Sequence, residues 1–401
     1  MTPALRTIQD ELDEMFSVPL AAVRRRERCA LNLLLRANRN QVVLFGAGSA
    51  GRRALGCLRS IGVEPLGFAD NRPETWGTSV DGALVMRPED AAQQYGSDAL
   101  FIVTIWNAKH RFADTKRRLA GLGVRAIEPI GPVQWRFPES FLPFFSLDLP
   151  HRLYRERNEI VRAAALWADE QSRAEYLAHI RWRLFGDVEG VPGPVPEAQY
   201  FPRVFDLRPD EVFVDCGAYD GDTLREFLKQ NGGAFRRFVS IEPSPDVYEA
   251  LERCVATLEP EVRSRVALER IAVGDRCETV RFDAGAGAGG HLSESGTFDV
   301  HGSTLDRLCA TTRATFIKMD IEGAEGAALA GARATILRDR PILAICAYHR
   351  PTDLWRLPLM VHDLIPSYRM YLRTHESDGW DAVAYAVPPE RVRGELRERV
   401  A

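Results

Sequence analysis

Ten residues constrain this chain more than any others: Val212-Phe-Val-Asp-Cys-Gly-Ala-Tyr-Asp-Gly221, followed by Asp222 and Thr223. An apolar run that ends in a glycine-bearing turn and passes into an amphipathic segment over 223–229 predicts a buried strand, a tight turn and a helix. Gly217 and Gly221 stand where a backbone must turn with positive φ or approach a ligand, and the helix start behind them offers unbonded N–H groups. This is the layout of a nucleotide pocket, or of a plain strand-to-helix turn in an α/β protein. Its peculiarity is acid. Asp215, Asp220 and Asp222 crowd a turn that would face two phosphates in a pyrophosphate binder, and carboxylates there favour a cationic ligand.

S-adenosylmethionine answers to that charge pattern. Its sulfonium and ammonium are positive, and its single carboxylate can sit against a helix N-terminus. The candidate cofactor contacts on this turn are Asp215, Gly217, Ala218, Tyr219, Gly221, Asp222 and Thr223.

At 401 residues the chain is long enough for two domains with ample core. Its 52 basic and 56 acidic residues leave a net charge of −4 with the signs interspersed, which asks for neither nucleic acid nor an anionic membrane. The seven cysteines form no C-x-x-C pair and no zinc-type spacing, so we read them as reduced thiols. No apolar run approaches the roughly 20 residues of a membrane helix, and the N-terminus lacks a basic-then-apolar leader. A cytoplasmic protein is expected.

Residues 1–40 read as a helical arm, with Leu5, Ile8, Leu12, Met15 and Phe16 at helical spacing and Arg24 to Arg26 as a solvated basic face. Residues 41–131 read as a Rossmann-like α/β domain. Strands are predicted at 42–45, 66–69, 99–105 and 124–127, and helices at 52–61, 89–95 and 109–122. The turn Gly46-Ala-Gly-Ser-Ala-Gly51, with Asp70 some twenty residues on, matches the dinucleotide fingerprint in its strand-turn-helix context. That turn is free of acid and followed by Arg52 and Arg53, the opposite electrostatics from the Asp215 turn. The phosphates of NAD or a nucleotide-sugar would sit on Gly46, Gly48, Ser49 and Gly51, with Asp70 on ribose; an inert structural turn is the alternative. Residues 132–206 form a helical connector, helix-prone over 153–185 and looped at Gly190 to Pro196, that caps an active site or builds a homodimer interface. Gln199, Tyr200 and Phe201 read as a packed aromatic cluster or part of a lid.

A second α/β unit spans 207–390. The strand predicted at 237–241 ends at Glu242, 27 residues after Asp215, where a carboxylate can accept both ribose hydroxyls of an adenosine. A third strand at 266–273 places Ala272 beside an adenine ring, with Asp275 just beyond. The glycine-rich stretch 284–290 reads as a mobile loop near the site, followed by His291 and Ser293. The strand at 315–319 delivers Asp320, Glu322 and Glu325 to the edge where open α/β sheets hold ligands, and the strand at 342–347 brings His349 to the same rim. His349 is then a candidate general base with Asp320 orienting substrate or sharing that role. Asp320 and Glu322 form an alternative Mg²⁺ pair, although two carboxylates are thin for a metal site.

Taken together, Val-Asp-Cys-Gly-Ala-Tyr-Asp-Gly-Asp-Thr, Ile-Glu-Pro-Ser-Pro, Thr-Leu-Asp at 304–306 and Ile-Lys-Met-Asp-Ile-Glu-Gly-Ala-Glu resemble the FkbM family of S-adenosylmethionine-dependent methyltransferases, over about 200–388. The resemblance implies a class I methyltransferase sheet of seven strands, its last pair near 368–375 and 382–387. It also implies O-methylation of a hydroxyl on a sugar, glycan or natural product. Asp215, Gly217 and Gly221 match the first cofactor motif, Glu242 the ribose acid and residues 320–325 the rim motif; His349 is placed by topology instead. The N-terminal domain lies outside the family core and resembles small sugar-nucleotide-binding or dinucleotide-type domains. Two rival functions remain: an NAD-dependent oxidoreductase or epimerase, disfavoured because no Tyr-x-x-x-Lys follows the first turn, and a non-catalytic nucleotide-binding module.

Overall fold

Short apolar runs bounded by glycine, proline and acid build three sheets, and in the first the central strand is buried on both faces, as parallel strands between helices are. The computed structural model describes residues 7–283, 291–292, 296 and 298–394. The chain divides into two compact units that interleave along the sequence. Unit one holds Met1–Asn158, Glu175–Pro194 and Glu376–Trp380, and unit two holds Glu159–Ala174, Val195–His375 and Asp381–Ala401.

Unit one carries β1 (Val42–Phe45), β2 (Gly67–Ala69), β3 (Ser79–Val80), β4 (Ala83–Met86), β5 (Leu100–Val103) and β6 (Ala126–Pro129), in the spatial order β3-β4-β2-β1-β5-β6. All neighbours pair in parallel except β3 with β4. That hairpin escaped sequence reading. Its signal is the Asp81-Gly82 pair, whose φ values of 49° and 81° make the two-residue turn that a twisted hairpin requires. The helix Ser49–Ser60 starts three residues before its predicted 52, because Gly48 takes the extended cap conformation.

Unit two carries β7 (Val212–Cys216), β8 (Arg237–Ile241), β9 (Val266–Glu269), β10 (Ala272–Val273), β11 (Thr279–Asp283), β12 (His291–Leu292), β13 (Phe298–Ser303), β14 (Phe316–Met319), β15 (Ile342–Cys346), β16 (Arg369–Thr374) and β17 (Ala382–Val387). Seven of these form one mixed sheet, ordered β16-β17-β15-β14-β7-β8-β9, in which β17 runs antiparallel to both neighbours. Register aligns Phe238, Phe213 and Phe316 across β8, β7 and β14. Their rings stack with centroids 4.7 and 4.4 Å apart, and Phe227 of the helix Asp222–Gln230 packs 5.2 Å from Phe213. This ladder holds the central strands side by side, so their C-terminal ends form one rim.

Two expectations change in detail. The single strand predicted at 266–273 is two: β9 stays in the large sheet, whereas β10 pairs with β13 in a four-stranded sheet ordered β10-β13-β11-β12. A continuous apolar run does not record which sheet each half joins. The helix-prone stretch 153–185 also breaks, giving Arg157–Ala164 and Glu170–Phe185. Asp169 stops the chain there by accepting the Ser172 N–H at 2.8 Å, an N-cap bond that starts the second helix. The stretch 284–290 and Ser293 lie outside the described residues. Among the described residues no helix is long and apolar enough to cross a membrane.

Candidate functional site

The turn after β7 is forced by contact. Gly217 has φ +80°, and a Cβ there would lie 1.9 Å from the Asp320 carbonyl oxygen, so only glycine lets the ends of β7 and β14 close together. The N–H groups of Gly217 and Ala218 donate to the Ile241 carbonyl at 3.0 and 2.9 Å, which ties the turn to β8 and leaves Ala218 buried. Gly221, at φ +87°, caps the helix Asp222–Gln230. The turn's acid is partly spent: Asp220 pairs with Arg225 at 2.7 Å, and Asp222 accepts the Thr223 N–H at 2.7 Å.

Asp215 corrects the sequence argument. It faces no ligand space, being fully buried, and its Oδ1 lies 3.0 Å from Nζ of the equally buried Lys318. The two residues are register partners on β7 and β14. Lys318 also donates to the Gly217 carbonyl. Burial pulls the Lys318 ammonium down, but the charges of Asp215, Asp320 and Asp222 outweigh it and hold it above its usual value. Asp215 and Lys318 are thus the buried anchor of the turn. Lys318 was missed as a site residue, although a single lysine inside the apolar run Phe316–Met319 was the available signal.

Above this anchor opens a cleft, open to solvent, with an inner volume of about 90 Å³. Of the sequence candidates, Gly217, Tyr219, Glu242, Ala272 and Asp320 line it; Asp215, Ala218, Gly221, Asp222 and Thr223 do not. Glu242, at the end of β8, accepts the Tyr219 N–H at 3.1 Å on one oxygen and the Ser244 N–H at 2.9 Å on the other. Each oxygen keeps a lone pair for a further donor. Burial raises the Glu242 pKa, and the two backbone N–H groups oppose that shift.

The opposite wall is a charged network. Asp320 accepts the Tyr200 hydroxyl at 2.7 Å on Oδ2, and its Oδ1 lies 3.3 Å from His349 Nε2. The same Nε2 is 3.7 Å from Glu322, and His349 Nδ1 bonds Glu325 Oε1 at 2.8 Å. Burial depresses the imidazole, but Glu325, Asp320 and Glu322 overcome it and push the His349 pKa to about 10. Burial raises Asp320, whereas Lys318 and His349 hold it below its ordinary value. This argues against His349 as general base: the side chain is 1 % exposed and already carries its proton at neutral pH. Asp320, 25 % exposed, is the group that reaches the cleft. Tyr200, Tyr219 and Glu322 all hold left-handed φ, at 70°, 45° and 53°, so non-glycine strain gathers around this site. Asp320, Glu325 and His349 each bring one donor atom within 4.8 Å of the others, the geometry a metal ion would need.

In unit one the glycine turn lines a separate cavity of about 520 Å³ with Ser49, Arg53 and Asp70. Here too a predicted role changes. Asp70 is occupied: its oxygens accept the Ala47 N–H at 2.7 Å, the Arg72 N–H at 2.9 Å and the Arg72 guanidinium at 3.0 Å. Burial raises this carboxyl, but those donors outweigh it and keep it below the usual carboxylate range. Asp70 closes the turn and is not open to a ribose.

With this geometry in view, comparison with known proteins is decisive for one half of the chain. Residues 215–377 match the model of the methyltransferase FkbM domain. The C-terminal half carries an FkbM methyltransferase domain. The matched segment runs from Asp215 through the cleft residues to Ser377, so the rim of β7, β8, β14 and β15 belongs to it. The FkbM assignment implies S-adenosylmethionine as methyl donor. The 2-O-methyltransferase NoeI of Sinorhizobium fredii is 28% identical over 223 residues, which span 48% of this chain and 88% of NoeI. The crystal structure of methyltransferase FkbM from Methylobacillus flagellatus KT superposes with a TM-score of 0.70 at 24% identity, covering 94% of this chain and 97% of that one, a likeness of fold.

Proposed function

We propose that unit two transfers a methyl group from S-adenosylmethionine to a hydroxyl oxygen of a sugar, glycan or natural product. The observation that carries this reading is the single cleft in which Gly217, Glu242, Ala272 and Asp320 meet, from four different strand ends. Glu242 would take the ribose hydroxyls, Tyr219 and Ala272 would flank the adenosine, and the acidic wall at Asp320 would face the sulfonium. NoeI, as a named 2-O-methyltransferase, supports oxygen as the acceptor atom.

The reaction is in-line displacement. The acceptor oxygen attacks the sulfonium methyl, the new C–O bond forms as the C–S bond breaks, and the electron pair goes to sulfur. The donor is activated by its own charge, so the protein supplies alignment and a place for the hydroxyl proton. Asp320 takes that proton in this scheme. His349 and Tyr200 orient it and keep it ionised.

Calorimetric titration of the full chain with S-adenosylmethionine and with NAD tests the reading. Binding of the methyl donor, weakened about tenfold or more by Glu242→Gln, is expected for a lost charge-assisted pair. NAD binding without any S-adenosylmethionine binding would overturn it. The same titrations with a nucleotide-sugar address unit one, where the cavity beside Ser49 and Arg53 favours a phosphate-bearing ligand.

A further inference from the structure

The acid on the cleft wall exceeds what a methyl donor needs. Asp320, Glu322 and Glu325 surround one imidazole, and the nearby ammonium of Lys318 is engaged by Asp215 and the Gly217 carbonyl. The distances are informative. Donors that share one ion at about 2.1 Å stand about 3.0–3.5 Å from one another. His349 Nε2 stands 3.3 Å from Asp320 Oδ1 and 3.7 Å from Glu322 Oε2.

The far side of the imidazole carries the second observation. His349 Nδ1 is bonded by Glu325, a carboxylate behind the histidine, which is how metal-binding histidines are oriented. Glu325 is fully buried, and its Oε1 takes both that bond and the Ile321 N–H at 2.9 Å. Its Oε2 is buried with no hydrogen-bond partner among the described residues. Glu322 reaches the group from a left-handed backbone at φ 53°, followed by Gly323 at φ 93°.

We propose that Asp320 and His349 Nε2, with Glu322 at the cleft edge and Glu325 orienting the imidazole from behind, bind one divalent transition-metal cation, which displaces the imidazolium proton from Nε2. One imidazole among carboxylates, without thiolate, suits the manganese class of ion better than calcium or a soft metal. In the methyltransferase reading, on which its catalytic use rests, the ion holds the acceptor hydroxyl and lowers its pKa. With the ion bound, Asp320 serves as its ligand and the hydroxyl proton leaves to water instead; the oxygen takes the methyl carbon, and the C–S electron pair goes to sulfur.

The test uses the full chain, freed of metal by chelator and dialysis and then titrated with Mn²⁺, followed by calorimetry and by electron paramagnetic resonance of free Mn²⁺. One ion per chain is expected, with a rise in melting temperature on binding. His349→Gln and Glu325→Gln should each weaken binding at least tenfold. The more exposed Glu322→Gln, which leaves the buried cluster intact, should weaken it several-fold and covers the case in which a buried variant does not fold. Absence of a stoichiometric ion, or affinity unchanged in Glu322→Gln and in whichever buried variants fold, overturns the proposal. S-adenosylmethionine binding is titrated separately: its presence without Mn²⁺ binding sinks the metal alone, and Mn²⁺ binding without it sinks the methyl-transfer reading instead.

Discussion

Tyr200 and Asp320, 120 residues apart in sequence, share a 2.7 Å hydrogen bond in which the phenol donates to Oδ2 of the carboxylate. Tyr200 is fixed from two further directions: its N–H donates to the Tyr385 hydroxyl at 3.0 Å, and its ring lies 5.1 Å from the Lys318 ammonium. Asp320 is therefore held by a residue outside the motif that contains it. Tyr200→Phe removes one charge-assisted bond, a loss of about 1.5–3 kcal/mol. Turnover should fall about tenfold or more while S-adenosylmethionine affinity stays within about twofold. Steady-state rates beside calorimetry check this, and an equal loss in both would assign Tyr200 to cofactor binding.

The Asp215–Lys318 pair predicts an asymmetric double-mutant result. Lys318→Met strands a buried carboxylate and should cost about 3–5 kcal/mol of stability. Lys318→Met combined with Asp215→Leu removes both charges and should recover most of that loss in urea unfolding. No recovery would mean that Lys318 stabilises chiefly through the Gly217 carbonyl.

Gly217→Ala meets both a forbidden backbone angle and the Asp320 carbonyl, 1.9 Å from its new Cβ. Strain of about 1–3 kcal/mol is expected from the angle alone. The variant should melt several degrees lower and bind S-adenosylmethionine far more weakly. Wild-type melting and binding would show that β7 and β14 can part there without consequence.

Unit one carries a pH-dependent cost. Asp378 is buried with its Oδ2 accepting the Phe112 N–H at 2.7 Å, and burial pushes its pKa to about 6, against that bond and Arg111. A carboxyl raised in the folded state favours its protonated form. Its contribution to stability is complete below about pH 3.8 and is lost as pH rises through about 6. Asp378→Asn mimics the protonated form at every pH. Its advantage over the wild type should be near zero at pH 4 and grow to on the order of 2 kcal/mol by pH 7, read by urea unfolding at both values. An advantage that does not grow with pH refutes the assignment.

Local order was well written in the sequence. The run Val212–Cys216, the glycines at 217 and 221 and the acid after Ile241 each announce a strand, a turn or a strand end, because their causes lie within a few residues. Partners across the sheet were not. Nothing near Asp215 says that Lys318 stands beside it, since register sets that pairing over a hundred residues away. The same blindness turned Asp70 into a ribose ligand, when Arg72 two residues on already fills its oxygens. For His349 topology gave the correct rim, but its protonation depends on Glu325 and Glu322 folding back around it. A short hairpin such as β3–β4 is lost for another reason: two residues carry no measurable alternation.

The interleaving of the two units has a practical edge. Trp380, whose ring centroid lies 4.6 Å from that of Trp106, and Asp378, which holds the Phe112 N–H, both belong to unit one although they follow nearly all of unit two in the chain. No single cut of the polypeptide releases either unit whole. A fragment ending before β7 forfeits two supports of its own interior, so any dissection of this protein into halves compares damaged pieces, and questions about either ligand belong to the intact chain.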